Sequence, residues 1–297
     1  MRLTSTIERG MEKVEEAGGL DRVTQPLSGL VRRVSSVSKT VTDLLHGVPL
    51  GHPAHPALVL APIGTLSSAT ILDFVPGTGP AVPVLTMAGI GTALPAAAAG
   101  LVDWADLHPQ QQRVGLVHAA SNSVGLACYG ASLVARMRRR PLSARALGLV
   151  GFSSLMVGGF LGGHLSYRQS AGANHGEDVP HLVRSGWNDL CAIDDLPEGR
   201  PVERHLGNVP VFVLRRGKSI DVLTDRCSHL SGPLHEGTVS QVGGQACITC
   251  PWHGSTFSLS DGHVVSGPAT ARQHAFDVRV QAGRVQVRLP NADGSGS

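Results

Sequence analysis

The sequence predicts a membrane-embedded, all-α four-helix bundle followed by an all-β domain. Two observations predict it. Four charge-free apolar runs, residues 56–72, 82–102, 114–135 and 146–167, all lie before residue 168. After residue 181 come short β-type runs separated by turn residues, and most of the acidic sequence lies after residue 168. A helix needs roughly 20 apolar residues to cross the hydrocarbon core of a bilayer. Three of the four runs reach that length, and short links between them imply up-and-down order.

The chain divides into five expected segments. Residues 1–45 mix charged and apolar positions, as around Glu8, Arg9, Met11, Glu12 and Lys13, and predict a short amphipathic helix followed by a solvated polar arm. That segment has no uninterrupted apolar core and no small-residue cleavage site, so a signal peptide is not expected. Residues 46–169 form the transmembrane domain, in which Gly89, Gly91, Pro95, Gly158, Gly159, Gly162 and Gly163 suit closely packed membrane helices. Residues 170–182 are small and polar and read as a linker. Residues 183–290 carry the strands, including 209–214, 219–224 and a closing hairpin that turns at Ala282-Gly283. Residues 291–297 read as a disordered tail.

Net charge is +3 at pH 7, too small to suggest a nucleic-acid partner. The chain holds five cysteines. Two belong to a motif, and the remaining Cys128, Cys191 and Cys247 make an odd set that argues against a secreted disulfide framework.

The motif is Cys227-Ser228-His229 and, twenty residues on, Cys250-Pro251-Trp252-His253. Two thiolates and two imidazoles on paired loops suit a [2Fe–2S] cluster in which two His replace two Cys on one iron. A structural zinc site is the alternative for the same donors. Zinc fingers usually take both Cys from one loop and both His from one helix, whereas here each loop offers one of each.

In these residues the C-terminal part resembles the Rieske family, and the resemblance extends through Gly237, Gly254, Ser255, Phe257, Asp261-Gly262 and Gly267-Pro268-Ala269. It implies antiparallel sheets carrying a two-loop cluster-binding tip, in which Cys227 and Cys250 bind one iron and His229 and His253 the other. It also implies that backbone amides of both loops, and the Ser255 hydroxyl, donate to cluster sulfurs. The Rieske proteins of cytochrome bc complexes carry an extra disulfide across the tip. The matching positions here are Gly232 and Trp252, so the tip resembles the ferredoxin-type branch, which works in reducing cytoplasm. Cys247 reads as a small strand residue rather than a fifth ligand.

The helical part resembles a family of small bacterial four-helix membrane proteins of uncharacterised function. Gly51-His52-Pro53-Ala54-His55-Pro56, Gly100-Leu101-Val102-Asp103, His118 and Gly162-Gly163-His164 carry the likeness. In up-and-down order His55, Asp103, His118 and His164 fall near one membrane face, one from each helix. Ionisable residues inside a membrane segment mark a functional site by default. The expectation is a second site for haem or another metal, or for a quinone, with His55, His118 and His164 converging and Asn122 one turn beyond His118. The alternative is that these side chains cap helices or bond across the bundle.

Together these readings imply a membrane-anchored iron–sulfur protein that passes single electrons between a redox partner protein and a site in the bundle. The alternatives are a membrane oxidoreductase, with a haem or quinone site fed by the cluster, and an iron–sulfur redox sensor. The expected location is a bacterial cytoplasmic membrane. Arg136, Arg138, Arg139, Arg140 and Arg145 favour placing the loop between the third and fourth spans inside. Unpaired thiols and a tip without a disulfide favour a cytoplasmic Rieske domain instead, and that is the orientation expected.

Overall fold

A computed structural model describes residues 2–290, with side chains from residue 6, so the tail expected at 291–297 lies outside the described residues. The chain forms two compact units. One comprises the segment up to Leu45 together with Pro53–Ala171, and the other comprises His46–His52 and the chain from Gly172 onward.

The first unit is helical. Its elements are α1 (Arg2–Glu15), α2 (Asp21–Ser35), α3 (Lys39–His46), α4 (Ala54–Leu58), α5 (Leu60–Leu72), α6 (Ala81–Ala105), α7 (Pro109–Met137) and α8 (Pro141–Gly163), which continues as a π-helical turn, His164–Arg168. Eight α-helices among the described residues of this region thus stand where four spans and one N-terminal helix were expected. The first span is split because Pro62 has no N–H to bond Leu58 O, and its ring crowds that carbonyl, so α4 ends at Leu58 and α5 starts at Leu60.

Three stretches among the described residues are long and apolar enough to cross a membrane: Ala54–Leu72, Ala81–Ala105 and Pro141–Arg168. The expectation of four apolar spans is corrected at α7. It has 29 residues, but its inward positions include Gln111, Gln112 and Ser132, all buried, and it carries His118 and Asn122. Two of these buried polar groups bond to neighbouring backbone carbonyls. Gln112 Nε2 donates to Ala105 O (3.0 Å), and Ser132 Oγ donates to Ala144 O (2.7 Å). The α7 and α8 backbones pack closely, since a Cβ on Gly151 would lie 3.0 Å from Gly125 O.

The N-terminal segment is not a solvated arm. In α2, Thr24, Ser28 and Val31 are buried, an i, i+4, i+7 stripe on one helix face. Val31 packs with Val102, Trp104 and Ala105, and Met11 of α1 packs with Val114 and Leu161. Arg113 fixes the dock. Its Nε and Nη2 donate to Asp21 Oδ1 and Oδ2, each at 2.7 Å, and Nη1 donates to Glu15 O at 2.6 Å. The guanidinium holds the Asp21 carboxyl below its ordinary pKa.

The second unit is all-β. Its strands are β1 (Asn188–Ala192), β2 (Val202–Leu206), β3 (Val209–Arg216), β4 (Ser219–Thr224), β5 (Thr238–Val242), β6 (Gln245–Thr249), β7 (Thr256–Ser258), β8 (Val264–Ser266), β9 (Asp277–Gln281) and β10 (Arg284–Arg288). Three sheets form, in the orders β1-β10-β9, β2-β3-β4 and β5-β6-β7-β8, and all their pairings are antiparallel. The β9–β10 hairpin turns on Ala282 and Gly283, both with positive φ (51° and 75°), as a tight two-residue hairpin turn requires.

Strand β3 is buried on both faces, and the period of two sorts its side chains between two cores. Val211 and Val213 join Val285, Val287 and Cys191, while Phe212 and Leu214 join Leu223, Phe257, Cys227 and Cys250. The second core is therefore the floor beneath both cysteines of the motif.

The stretch read as a linker belongs largely to this unit. His175 N donates to Ser228 O (2.9 Å), and His274 Nε2 donates to Gly176 O (3.0 Å). A short helix, α9 (Val179–Leu182), buries Val179 in the first core. Its small polar residues are spent on backbone bonds rather than on freedom.

Candidate metal centre

Two loops carry the motif. The first follows β4 and the second joins β6 to β7, and they close in the same way. Cys227 N donates to Gly232 O (2.9 Å), and Ser231 N donates to Cys227 O (2.8 Å). Cys250 N donates to Ser255 O (2.8 Å), and Gly254 N donates to Cys250 O (3.2 Å). In each loop, then, the Cys bonds the residues four and five ahead. The residue four ahead has positive φ, 62° at Ser231 and 76° at Gly254. One backbone plan, used twice, presents Cys and His side by side from either loop.

Both cysteines are buried, Cys227 at 1% and Cys250 at 3% exposure. Their thiols share a hydrogen bond that splits their acidities. It lowers the Cys250 pKa to about 7 and, with burial, holds that of Cys227 well above the ordinary thiol value. The amides of His229 and Leu230 point at the Cys227 sulfur, and those of Trp252 and His253 at the Cys250 sulfur. Such donors stabilise negative charge on sulfur. The His229 and His253 rings stand perpendicular, with centroids 5.2 Å apart, and both are half-buried.

Close packing locks the tip. A Cβ on Gly232 would lie 2.7 Å from Cys250 Sγ and 3.1 Å from the Trp252 ring, so positions 232 and 252 face one another with an indole between the loops. All five cysteines are free. Ser255 is fully buried, and its Oγ accepts from Ala269 N (3.0 Å), which leaves the hydroxyl proton to be donated elsewhere. Cys247 is fully buried in β6, where it pairs with Ser240 and Ser258 across the sheet.

Asp225 was missed in the sequence. It is 2% exposed and accepts from His235 twice at 2.8 Å, from the backbone N to Oδ1 and from Nδ1 to Oδ2. Burial raises its pKa, and the His235 bonds oppose that rise. Its one sequence signal was a carboxylate two residues before the first Cys.

In the helical unit two of the four expected residues are brought together. His55 and His118 come together, with ring centroids 6.4 Å apart. His164 Nε2 instead meets Glu15 Oε1 at 2.7 Å, and Asp103 is half-buried near the end of α6. Asn122 Nδ2 donates to His118 Nε2 at 3.1 Å. Sequence reasoning could not see Glu15, because it lies 149 residues from its partner.

Residues 186–282 match the model of the Rieske [2Fe-2S] domain. The anthranilate 1,2-dioxygenase ferredoxin subunit of Burkholderia cepacia is 31% identical over 103 residues, 35% of this chain and 92% of that protein. The chain belongs to the Rieske [2Fe–2S] family. Its C-terminal Rieske domain binds a [2Fe–2S] cluster. A second relative, the 3-phenylpropionate/cinnamic acid dioxygenase ferredoxin subunit of Escherichia coli K12, is 31% identical over 34% of this chain and 92% of its own length. Among solved structures, the ferredoxin of carbazole 1,9a-dioxygenase from Nocardioides aromaticivorans IC177 aligns at 25% identity and a TM-score of 0.32, covering 36% of this chain and all of that one. Residues 51–175 match a second family, described as a predicted membrane protein (DUF2231).

Proposed function

We propose that the protein is a membrane-anchored one-electron carrier whose cluster is held by Cys227 and Cys250 on one iron and by His229 and His253 on the other. The observation that carries this is the perpendicular His229–His253 pair beside two buried, amide-ringed cysteines. A metal–nitrogen bond of ~2.1 Å, with ~1.1 Å more to the ring centre, puts each centroid ~3.2 Å from its ion. Two imidazoles at a tetrahedral angle then sit ~5.2 Å apart, which is the separation found. The donor set thus fits an iron with two imidazole ligands.

A bound [2Fe–2S] cluster supplies one-electron exchange. The chain's own residues do the rest. Loop amides stabilise the charge on sulfur, Ser255 has a hydroxyl proton to add, and the core beneath the cysteines excludes water. Half-buried His229 and His253, beside exposed Trp252, give electrons a short route to a partner surface. Relatives named as dioxygenase ferredoxin subunits support a redox partner protein for this chain too. The apolar stretches Ala54–Leu72, Ala81–Ala105 and Pro141–Arg168 support anchoring in a membrane, and free thiols support a cytoplasmic Rieske domain. Within the bundle, the His55–His118 pair is the place where a second redox site would lie.

Counting iron, acid-labile sulfide and zinc in purified full-length protein tests the metal. Two irons and two sulfides per chain are expected, and zinc without iron would overturn the proposal.

A further inference from the structure

The bundle repeats itself. His55 and His118 are 63 residues apart in sequence, as are Leu66 and Tyr129, and Asp73 and Arg136. Each pair meets in space. The imidazoles lie 6.4 Å apart, Tyr129 Oη donates to Leu66 O (3.2 Å), and the Arg136 guanidinium binds the Asp73 carboxylate. Contact between a position and its own equivalent is the mark of a two-fold axis.

The outer helices keep the same plan. His55 Nδ1 donates to Ala96 O (2.8 Å), 41 residues on, and His118 Nδ1 donates to Gly158 O (2.7 Å), 40 residues on. Four residues past each carbonyl stands a glycine against the ring. A Cβ on Gly100 would lie 2.7 Å from His55 Nδ1, and one on Gly162 would lie 3.2 Å from His118 Cε1. Gly89 abuts Leu66 as Gly151 abuts Tyr129. The hairpins α4–α6 and α7–α8 are therefore two versions of one unit, with their first helices parallel about an axis that runs along the bundle. Repeats of this kind in membrane proteins place binding sites at the repeat interface.

His55 and His118 sit on that interface. A carbonyl oxygen can only accept, so both Nδ1 atoms carry a proton, and in the neutral imidazoles each Nε2 offers a lone pair. A ring fixed by an Nδ1–H bond to a backbone carbonyl is how metal-binding histidines are oriented. The spacing leaves room for one shared ion. With each ring centre ~3.2 Å from a shared ion, opposed imidazoles lie ~6.4 Å apart. The rings are 6.4 Å apart.

We propose that His55 and His118 would hold one metal centre at the repeat interface, each through its Nε2. Asn122 Nδ2 directs a partially positive N–H at His118 Nε2 (3.1 Å), in the direction a cation takes, and metal binding turns this amide aside. His164 is not part of the site, because its Nε2 is bonded to Glu15. The proposal gives the bundle site of the function above its ligands, and rests on that reading only for the site's role.

The test is metal analysis of full-length protein in detergent, with iron and sulfide of the cluster counted apart from all other metal. About one further transition-metal atom per chain is expected. It should be lost in His55→Ala and in His118→Ala while the cluster spectrum persists, and kept in His164→Ala and Asn122→Ala. A pyridine haemochrome assay separates its two sources, haem iron and a bare ion, and either one supports the site if both histidines are required. Wild-type protein with no metal beyond the cluster overturns the proposal without recourse to any variant, as does metal that survives both histidine substitutions. Loss of the cluster with retention of the bundle metal would instead contradict the cluster reading.

Discussion

Gly232 and Cys250 come so close that a Cβ on the glycine would lie 2.7 Å from the cysteine sulfur. The first loop has no side chain at this point because the sulfur of the second loop passes there. Gly232→Ala should therefore hinder cluster loading. Overpacking a tight site costs roughly 1–3 kcal/mol, and here the strain falls directly on a proposed ligand. Iron and sulfide per chain should drop sharply in this variant, while Gly243→Ala, whose backbone strain at φ 58° is confined to the open β5–β6 turn, should leave both counts intact.

Ser255 tunes rather than builds the site. Its Oγ accepts from Ala269 N, which leaves a hydroxyl proton for the nearby sulfurs. A net hydrogen bond is worth about 1 kcal/mol, and for a one-electron couple that corresponds to roughly 40 mV. Ser255→Ala should keep the cluster and lower its reduction potential by about that amount, read by redox titration. An unchanged potential would assign Ser255 a purely structural role.

Acid should release the N-terminal helices before the rest of the bundle. Arg113 holds the Asp21 carboxyl below its ordinary pKa, so the dock gains stability above about pH 4, the unfolded value, and loses it as pH falls through the lowered folded value. Hydrogen exchange across α1 and α2 should rise over that window. Asp21→Asn should show the faster exchange already at neutral pH, because the bidentate pair is gone.

The orientation proposal is checked with a single exposed thiol. Ser185 is exposed in the second unit, and Ser185→Cys in intact cells should resist a membrane-impermeant reagent and react after lysis. Labelling of intact cells would place the Rieske domain outside and the Arg136–Arg145 loop within.

What could be read from the sequence was what is local. The motif loops are legible because each Cys and its His lie two or three residues apart, and the β9–β10 hairpin because Ala282 and Gly283 form a two-residue turn. The helical region and the all-β domain were legible for the same reason, from apolar runs and alternation. The docked N-terminal helices were not. Asp21 and Arg113 are 92 residues apart, and α2 buries two of its polar residues, Thr24 and Ser28, so its inner face does not look apolar. Asp225 and His235 are ten residues apart, and only the fold buries the carboxylate and sets the imidazole on it. The repeat in the bundle is nearly silent in sequence. Its paired positions read Leu66 against Tyr129 and Asp73 against Arg136, and its register slips by one residue between inner and outer helices. A π-helical turn at His164–Arg168 also redirects the end of α8, and a straight-helix projection cannot show it.

The measurement closest to the central claim is pulsed EPR of the reduced protein, read for nitrogen couplings to the cluster. Two imidazole couplings are predicted, from His229 and His253, with the signal lost in His253→Ala because the remaining imidazole cannot hold that iron alone. A reduced cluster with no imidazole coupling, or one that persists unchanged in His253→Ala, would contradict the account.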